Sequence, residues 1–180
     1  MVTTRTSRGN TMAPKSDTCD LDRLARELQR MSSAGPKAPI LLLTCMDYRY
    51  PEMIVRYMNT FYKDQKYDQA ILAGASLGAN LVAGKPLLPH WRCTFFEHVL
   101  IAGRLHGIEK IILLDHLGCG AYESFRKVSP GDPNEREAHE REIRILYEAI
   151  KAEPRFRGLA VLSGILPNAK TGKVIPVALG

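Results

Sequence analysis

From residue 39 to 177 the chain alternates short apolar runs with stretches of helical periodicity. Pro39-Ile40-Leu41-Leu42-Leu43-Thr44 is apolar and too short for a core helix, which predicts a buried strand over 39–44. Similar runs predict strands at Gln69–Ala73, Glu109–Leu114 and Leu159–Leu166, and Val174-Ile175-Pro176-Val177 predicts an edge strand because its proline cannot donate to a ladder. The intervening segments predict helices over 51–60, with Pro51 in the first turn, and from a Thr94/Glu97 capping box through Phe96, Val99, Leu100 and Gly103 to about His106. A short helix is predicted over 121–125. A longer one opens with Asp132 as N-cap, Pro133 at N1 and Glu135 at N3, and buries Ile143, Leu146, Tyr147 and Ile150. The charges between Glu135 and Arg144 read as a solvated helix face. Ahead of these elements, Leu21, Leu24, Ala25, Leu28 and Met31 fall on one helical face, with Asp20 as N-cap. This predicts an amphipathic helix within 17–34, packed on its own domain or on a neighbouring subunit.

Strands alternating with helices imply right-handed crossovers and a mainly parallel sheet. The expected fold class is α/β: one domain, strand order 2-1-3-4 plus the edge strand, helices on the sheet, and a leading N-terminal helix. The chain divides into a disordered tail over 1–16, the amphipathic helix, and a domain over 38–180.

A length of 180 residues and 45% hydrophobic content fit one globular domain, and no apolar run is long enough to span a bilayer. The net charge is +6, and Arg5, Arg8 and Lys15 of the acid-free first 16 residues supply half of it. No basic stripe with interleaved aromatics suggests nucleic acid. No secretory signal is visible, and four cysteines in a chain this long are not a disulfide scaffold, so the expected location is cytoplasmic. An organelle transit peptide in the Ser/Thr/Arg-rich tail is the lesser reading.

The candidate chemistry lies where two strands end. Cys45-Met46-Asp47-Tyr48-Arg49 follows the first strand, and His116-Leu117-Gly118-Cys119-Gly120 follows the third. In the order 2-1-3-4 those strands are neighbours, so Cys45 comes beside His116 and Cys119 although 71 residues separate Cys45 from His116. Two thiols and an imidazole suit zinc, and three protein ligands leave a fourth tetrahedral position open, as catalytic sites do. Competing readings are weaker. Gly74-Ala75-Ser76-Leu77-Gly78 has G-x-x-x-G spacing, which fits a tight turn rather than a dinucleotide loop. His90 and Cys93 read as packed loop residues without metal partners. A phosphatase loop needs five residues between its thiol and arginine, not the three between Cys45 and Arg49, and a Cys–His nucleophile pair would be consumed by zinc.

The two turns resemble the zinc site of the β-carbonic anhydrases, built from Cys-x-Asp-x-Arg and His-x-x-Cys-Gly. The resemblance runs from about residue 38 to the C-terminus. It includes the unit from Glu97 to Ala121 with His106-Gly107-Ile108-Glu109-Lys110, and the closing hairpin with Asn168 and Thr171-Gly172-Lys173. It implies one zinc ion per subunit on Cys45, His116 and Cys119, with Asp47 and Arg49 as the neighbouring catalytic dyad. It also implies reversible hydration of carbon dioxide to bicarbonate by a zinc-bound hydroxide in a homodimer or larger homo-oligomer. Zinc lowers the pKa of water from ~15.7 towards ~7. Asp47 can then orient the oxygen while Arg49 keeps the carboxylate ionised, and in this family the aspartate can also swing onto the metal. Tyr48, Gly74, Ala75, Gly118 and Gly120 are the candidate pocket residues. The chain departs from the family at Tyr48, usually a small residue, and at Ile71-Leu72-Ala73-Gly74, where an Arg-Asn-Ala-Gly turn is usual. An apolar approach would suit carbonyl sulfide or carbon disulfide, which relatives hydrolyse. A non-catalytic zinc-binding homologue is the remaining alternative, against which stand Asp47 and Arg49, which a structural site does not need.

Overall fold

The computed structural model describes residues 19–31, 35–81, 90–171 and 173–179. The tail over 1–16 lies outside them. Five strands, β1 (Ile40–Thr44), β2 (Tyr67–Ile71), β3 (Lys110–His116), β4 (Ala160–Leu166) and β5 (Ile175–Pro176), form one sheet in the order β2-β1-β3-β4-β5. All neighbours are parallel except β4 and β5, which are antiparallel. This is the expected α/β architecture. β1 is buried on both faces along all five residues, the reason its sequence runs apolar without alternation.

Helices cover the two faces. α2 (Pro51–Phe61) packs Met53, Ile54 and Met58 against Ile40, Leu42, Ile112 and Leu114. On the other face, α3 (Ser76–Asn80), α4 (Trp91–His106), α5 (Gly120–Arg126) and α6 (Glu135–Ala152) cover Leu41, Leu43, Ile111 and Leu113. No described helix is long and apolar enough to cross a membrane.

The leading helix α1 (Leu21–Gln29) buries Leu21 and Leu28, with Asp20 capping the Arg23 N–H at 2.9 Å. It packs on α4 of its own chain, while Met31, expected on its apolar stripe, is exposed. Arg104 of α4 donates to the carbonyls of Leu28, Gln29 and Met31, which satisfies the open end of α1.

Four local expectations are corrected. α4 begins at Trp91 without a side-chain cap, so Thr94 and Glu97 are interior residues and no capping box forms; Gly103, placed in its stripe, is exposed. Cys93 is not a packed loop residue: it lies in the first turn of α4 and is disulfide-bonded to Cys19. Such bonds are rare in the cytosol, so this pair weighs against the location inferred from the cysteine count. α6 begins at Glu135, which is buried together with His139 and Glu142. The supposed solvated face therefore contributes three polar groups to the interior. Finally, the stretch expected as a tight turn continues from Gly74-Ala75 into a short helix, α3. The tight packing of that turn is as expected: a Cβ on Gly78 would meet the Ala73 carbonyl at 2.6 Å.

Candidate metal centre

β1 and β3 run side by side, with Thr44 level with Leu114. Chain direction then delivers Cys45 just past the end of β1, His116 as the last residue of β3, and Cys119 as the residue that leads into α5. One ligand atom from each of the three lies within 4.8 Å of the others. The two sulfurs are 3.8 Å apart, and both thiols are free and buried. Two sulfurs each ~2.3 Å from a tetrahedral ion would be separated by about the same distance.

The imidazole is prepared in the same sense. The Leu117 carbonyl accepts from His116 Nδ1 at 2.9 Å, which keeps a proton on Nδ1 and leaves Nε2 as the ring atom that can ligate once deprotonated. That Nε2 is buried and has no hydrogen-bond partner among the described residues. Burying such an atom unpaired is costly, and a metal ion would relieve it. Tyr50 fixes the ring from the side: its ring stacks on His116 at 4.0 Å, and its hydroxyl donates to the Leu117 carbonyl at 2.8 Å. The donor set, a neutral imidazole and two sulfurs, fits zinc.

The two sulfurs are not equivalent in the metal-free chain. The hydrogen bond from Cys119 does most to pull the Cys45 thiol well below its ordinary value, with His116 and the Gly74 N–H adding to it against burial. Making that same bond pushes the Cys119 thiol up. Burial lowers the His116 imidazole, but the Cys45 sulfur and the Leu117 carbonyl outweigh it and leave it above its ordinary value. Metal binding must displace these protons, so affinity should rise with pH. The Gly74 N–H reaches Cys45 Sγ at 3.2 Å, and the turn is bent to allow it. Gly74 has φ +79° and Ala75, a non-glycine, has φ +46°. A left-handed alanine is a strained conformation that the surrounding packing must hold.

Asp47 and Arg49 sit at the mouth. Arg49 Nε donates to Asp47 Oδ1 at 2.9 Å and Nη2 to Oδ2 at 2.5 Å, and the Arg49 backbone N–H adds a third bond at 3.0 Å. These contacts hold the Asp47 carboxyl at about 2, so it is ionised at neutral pH. Asp47 Oδ2 lies 3.8 Å from His116 Nε2, beside the ligand set and beyond hydrogen-bond reach. Arg49 Nη2 also donates to the Gly118 carbonyl at 2.7 Å, tying the two turns together.

The candidate pocket residues fare differently. Tyr48 is 87% exposed and lines a cleft of about 480 Å³ with Cys45, Asp47, Cys119 and Gly120. Gly74 approaches through its N–H, whereas Ala75 is wholly buried and lines none of the described clefts. Gly118 needs its glycine, at φ +72°, while a Cβ on Gly120 would meet nothing within 4 Å. A second cleft of about 350 Å³ reaches Cys45 and Asp47 between Met46, Ile54, Val55 and Ile71.

Sequence reasoning passed over the groups behind the ligands. Asp115 is buried and accepts from the Ser76 N–H and hydroxyl, the Tyr122 hydroxyl and His139 Nδ1, at 2.7–3.2 Å. It thereby joins β3 to α3, α5 and α6 directly behind His116. The signal was an aspartate closing the apolar run Ile111–Leu114 at the end of an interior strand, where a carboxylate must find partners. Tyr50 and Glu135 carried no comparable signal.

No protein-family model matches the chain. An uncharacterised protein of Rickettsia bellii is 32% identical over 133 residues, which cover 72% of this chain and 78% of that one. The chain belongs to the family of that protein. Its fold is also that of solved carbonic anhydrases. The carbonic anhydrase of Streptococcus mutans superposes with a TM-score of 0.53 at 17% identity, covering 88% of this chain and 93% of its own. A tetrameric β-carbonic anhydrase of the ascomycete Sordaria macrospora gives 0.51 at 15% identity, covering 87% and 85%. At such identities the likeness is one of fold, and activity has to be argued from the site.

Proposed function

We propose that the protein is a zinc enzyme that hydrates carbon dioxide reversibly to bicarbonate, with Cys45, His116 and Cys119 holding the metal. The observation that carries this reading is the convergence of two free sulfurs 3.8 Å apart and an unpartnered buried imidazole nitrogen, with an ionised carboxylate 3.8 Å from that nitrogen. Zinc held there supplies a nucleophile from water at neutral pH. Asp47 accepts a hydrogen bond at the mouth and orients the attacking group, and its low carboxyl pKa keeps it an acceptor throughout the neutral range. Arg49 fixes the direction of Asp47 and keeps it charged. The fold shared with solved carbonic anhydrases supports the reading, and the tetrameric relative supports a homo-oligomer.

One observation favours a second substrate. The cleft between Met46, Ile54, Val55 and Ile71 is apolar, with Gln69 turned to the Thr44 hydroxyl at 2.8 Å. Carbonyl sulfide or carbon disulfide would be accommodated there as readily as carbon dioxide. Stopped-flow proton release with carbon dioxide and sulfide release with the two sulfur compounds, on one zinc-quantified preparation, test both. Faster turnover of carbon dioxide supports the first reading and faster sulfide release the second. Neither activity from fully loaded protein contradicts both.

A further inference from the structure

Glu135 is the first residue of α6 and is 5% exposed. Its carboxylate has a defined task on each oxygen: Oε1 accepts from the Gly118 N–H at 2.5 Å and Oε2 from the Gly131 N–H at 2.9 Å. A buried carboxylate that accepts two N–H groups at the positive end of a long helix is well stabilised. What it holds matters more. Gly118 is the residue between His116 and Cys119 whose carbonyl accepts from Arg49 Nη2, and the same nitrogen reaches Asp47 Oδ2. A continuous chain of contacts therefore runs from the start of α6 through Glu135, the Gly118 backbone and Arg49 to Asp47.

Gly118 sits at φ +72° with no side chain to fix it, so an outside anchor decides where its carbonyl points. Arg49 has somewhere else to go. Its side chain is 42% exposed, and it borders a cleft of about 400 Å³ shared with Tyr50, Glu135 and Asn168. Without a fixed Gly118 carbonyl, the guanidinium could turn into that cleft and leave Asp47 with a looser partner.

We propose that Glu135 is a positioning residue for the Arg49–Asp47 pair, acting through the Gly118 backbone. It touches neither substrate nor metal ligand. It sets the direction of the guanidinium that directs the carboxylate. The inference rests on the reading of Asp47 and Arg49 as the working pair of the site. Its test is therefore made on metal-free protein, so that failure of zinc to bind would overturn that reading alone.

The experiment follows the Arg49 Nε–H and Gly118 amide protons by ¹⁵N NMR in the wild type, Glu135→Gln and Glu135→Asp. Gln keeps the shape but offers one acceptor in place of two, and Asp keeps the charge but falls one methylene short. In either folded variant, exchange of the Arg49 Nε–H with water should speed up about tenfold, as expected for loss of a charge-assisted hydrogen bond. The Gly118 amide proton should move upfield. Glu140→Gln, on the same helix and paired with Arg136 and Arg144, should change neither signal. A folded Glu135 variant that melts earlier but leaves Arg49 Nε–H exchange within twofold would overturn the proposal and leave Glu135 as a helix cap.

Discussion

The molecule has two cysteine pairs, each spanning 74 residues of sequence, and they have opposite fates. Cys19 and Cys93 are joined by a disulfide at half-buried positions and fasten α1 to the first turn of α4. Cys45 and Cys119 are more deeply buried, lie 3.8 Å apart and stay unjoined. The difference lies in what surrounds each pair. Cys19 precedes α1 and Cys93 lies in the first turn of α4, so their bond is a covalent staple between two helices. At the ends of β1 and β3, the Gly74 N–H and the His116 imidazole converge on the open sulfurs, and Asp47, held by Arg49, lies 3.8 Å from the His116 Nε2. One pair is a tether and the other a candidate ligand set, and each should fail without disturbing the other.

The largest effect should come from breaking the open pair. Cys119→Ser should drop zinc from one per chain to below about a tenth and reduce turnover at least ~1000-fold, measured by metal analysis and stopped flow. The Cys19–Cys93 bond should persist in that variant, as seen by thiol counting after denaturation. Arg49→Ala leaves both pairs intact and loosens only the mouth. It should keep zinc bound, cost about 10–100-fold in turnover, and move the Asp47 carboxyl up from about 2 towards its ordinary value by NMR titration.

Breaking the closed pair should act on stability alone. Cys93→Ser should destabilise the chain by about 2–4 kcal/mol, or ~4–16 °C in Tm by calorimetry. Zinc content should stay unchanged because the bond fastens α1 to α4 and neither of its cysteines is in the candidate ligand set. The smallest effect should be the pH dependence of the Asp47–Arg49 pair. The carboxyl is lowered in the folded chain to about 2, from ~3.9 unfolded. The stability it adds is therefore fully present above about pH 4 and lost as the pH falls through 2. For a partly exposed pair that is within about 1 kcal/mol, measured as denaturation midpoints across that interval.

The same contrast marks what could be read in the sequence. β1 and β3 announced themselves as unbroken apolar runs, and strand order alone was enough to bring Cys45 to His116 and Cys119. Local patterning decides such features, and topology then has few choices. Cys93 was misjudged because a disulfide partner depends on how α1 packs, which no spacing encodes. Glu135 was misjudged for a related reason. A carboxylate near the start of a charged helix looks like a cap on a solvated face, and only tertiary packing turns it inward onto Gly118. Asp115 was legible in principle, since a buried strand cannot end on an unpaired acid.

The central claim is that the Cys45, His116 and Cys119 set holds zinc while the other two cysteines do not. X-ray absorption at the zinc edge, on stoichiometrically loaded protein, tests it most directly. The expected shell has two sulfurs at about 2.3 Å and nitrogen or oxygen ligands at about 2.0–2.1 Å. It should be identical in wild type and Cys93→Ser. A shell with no sulfur, a four-sulfur shell, or one that loses sulfur in Cys93→Ser would contradict it.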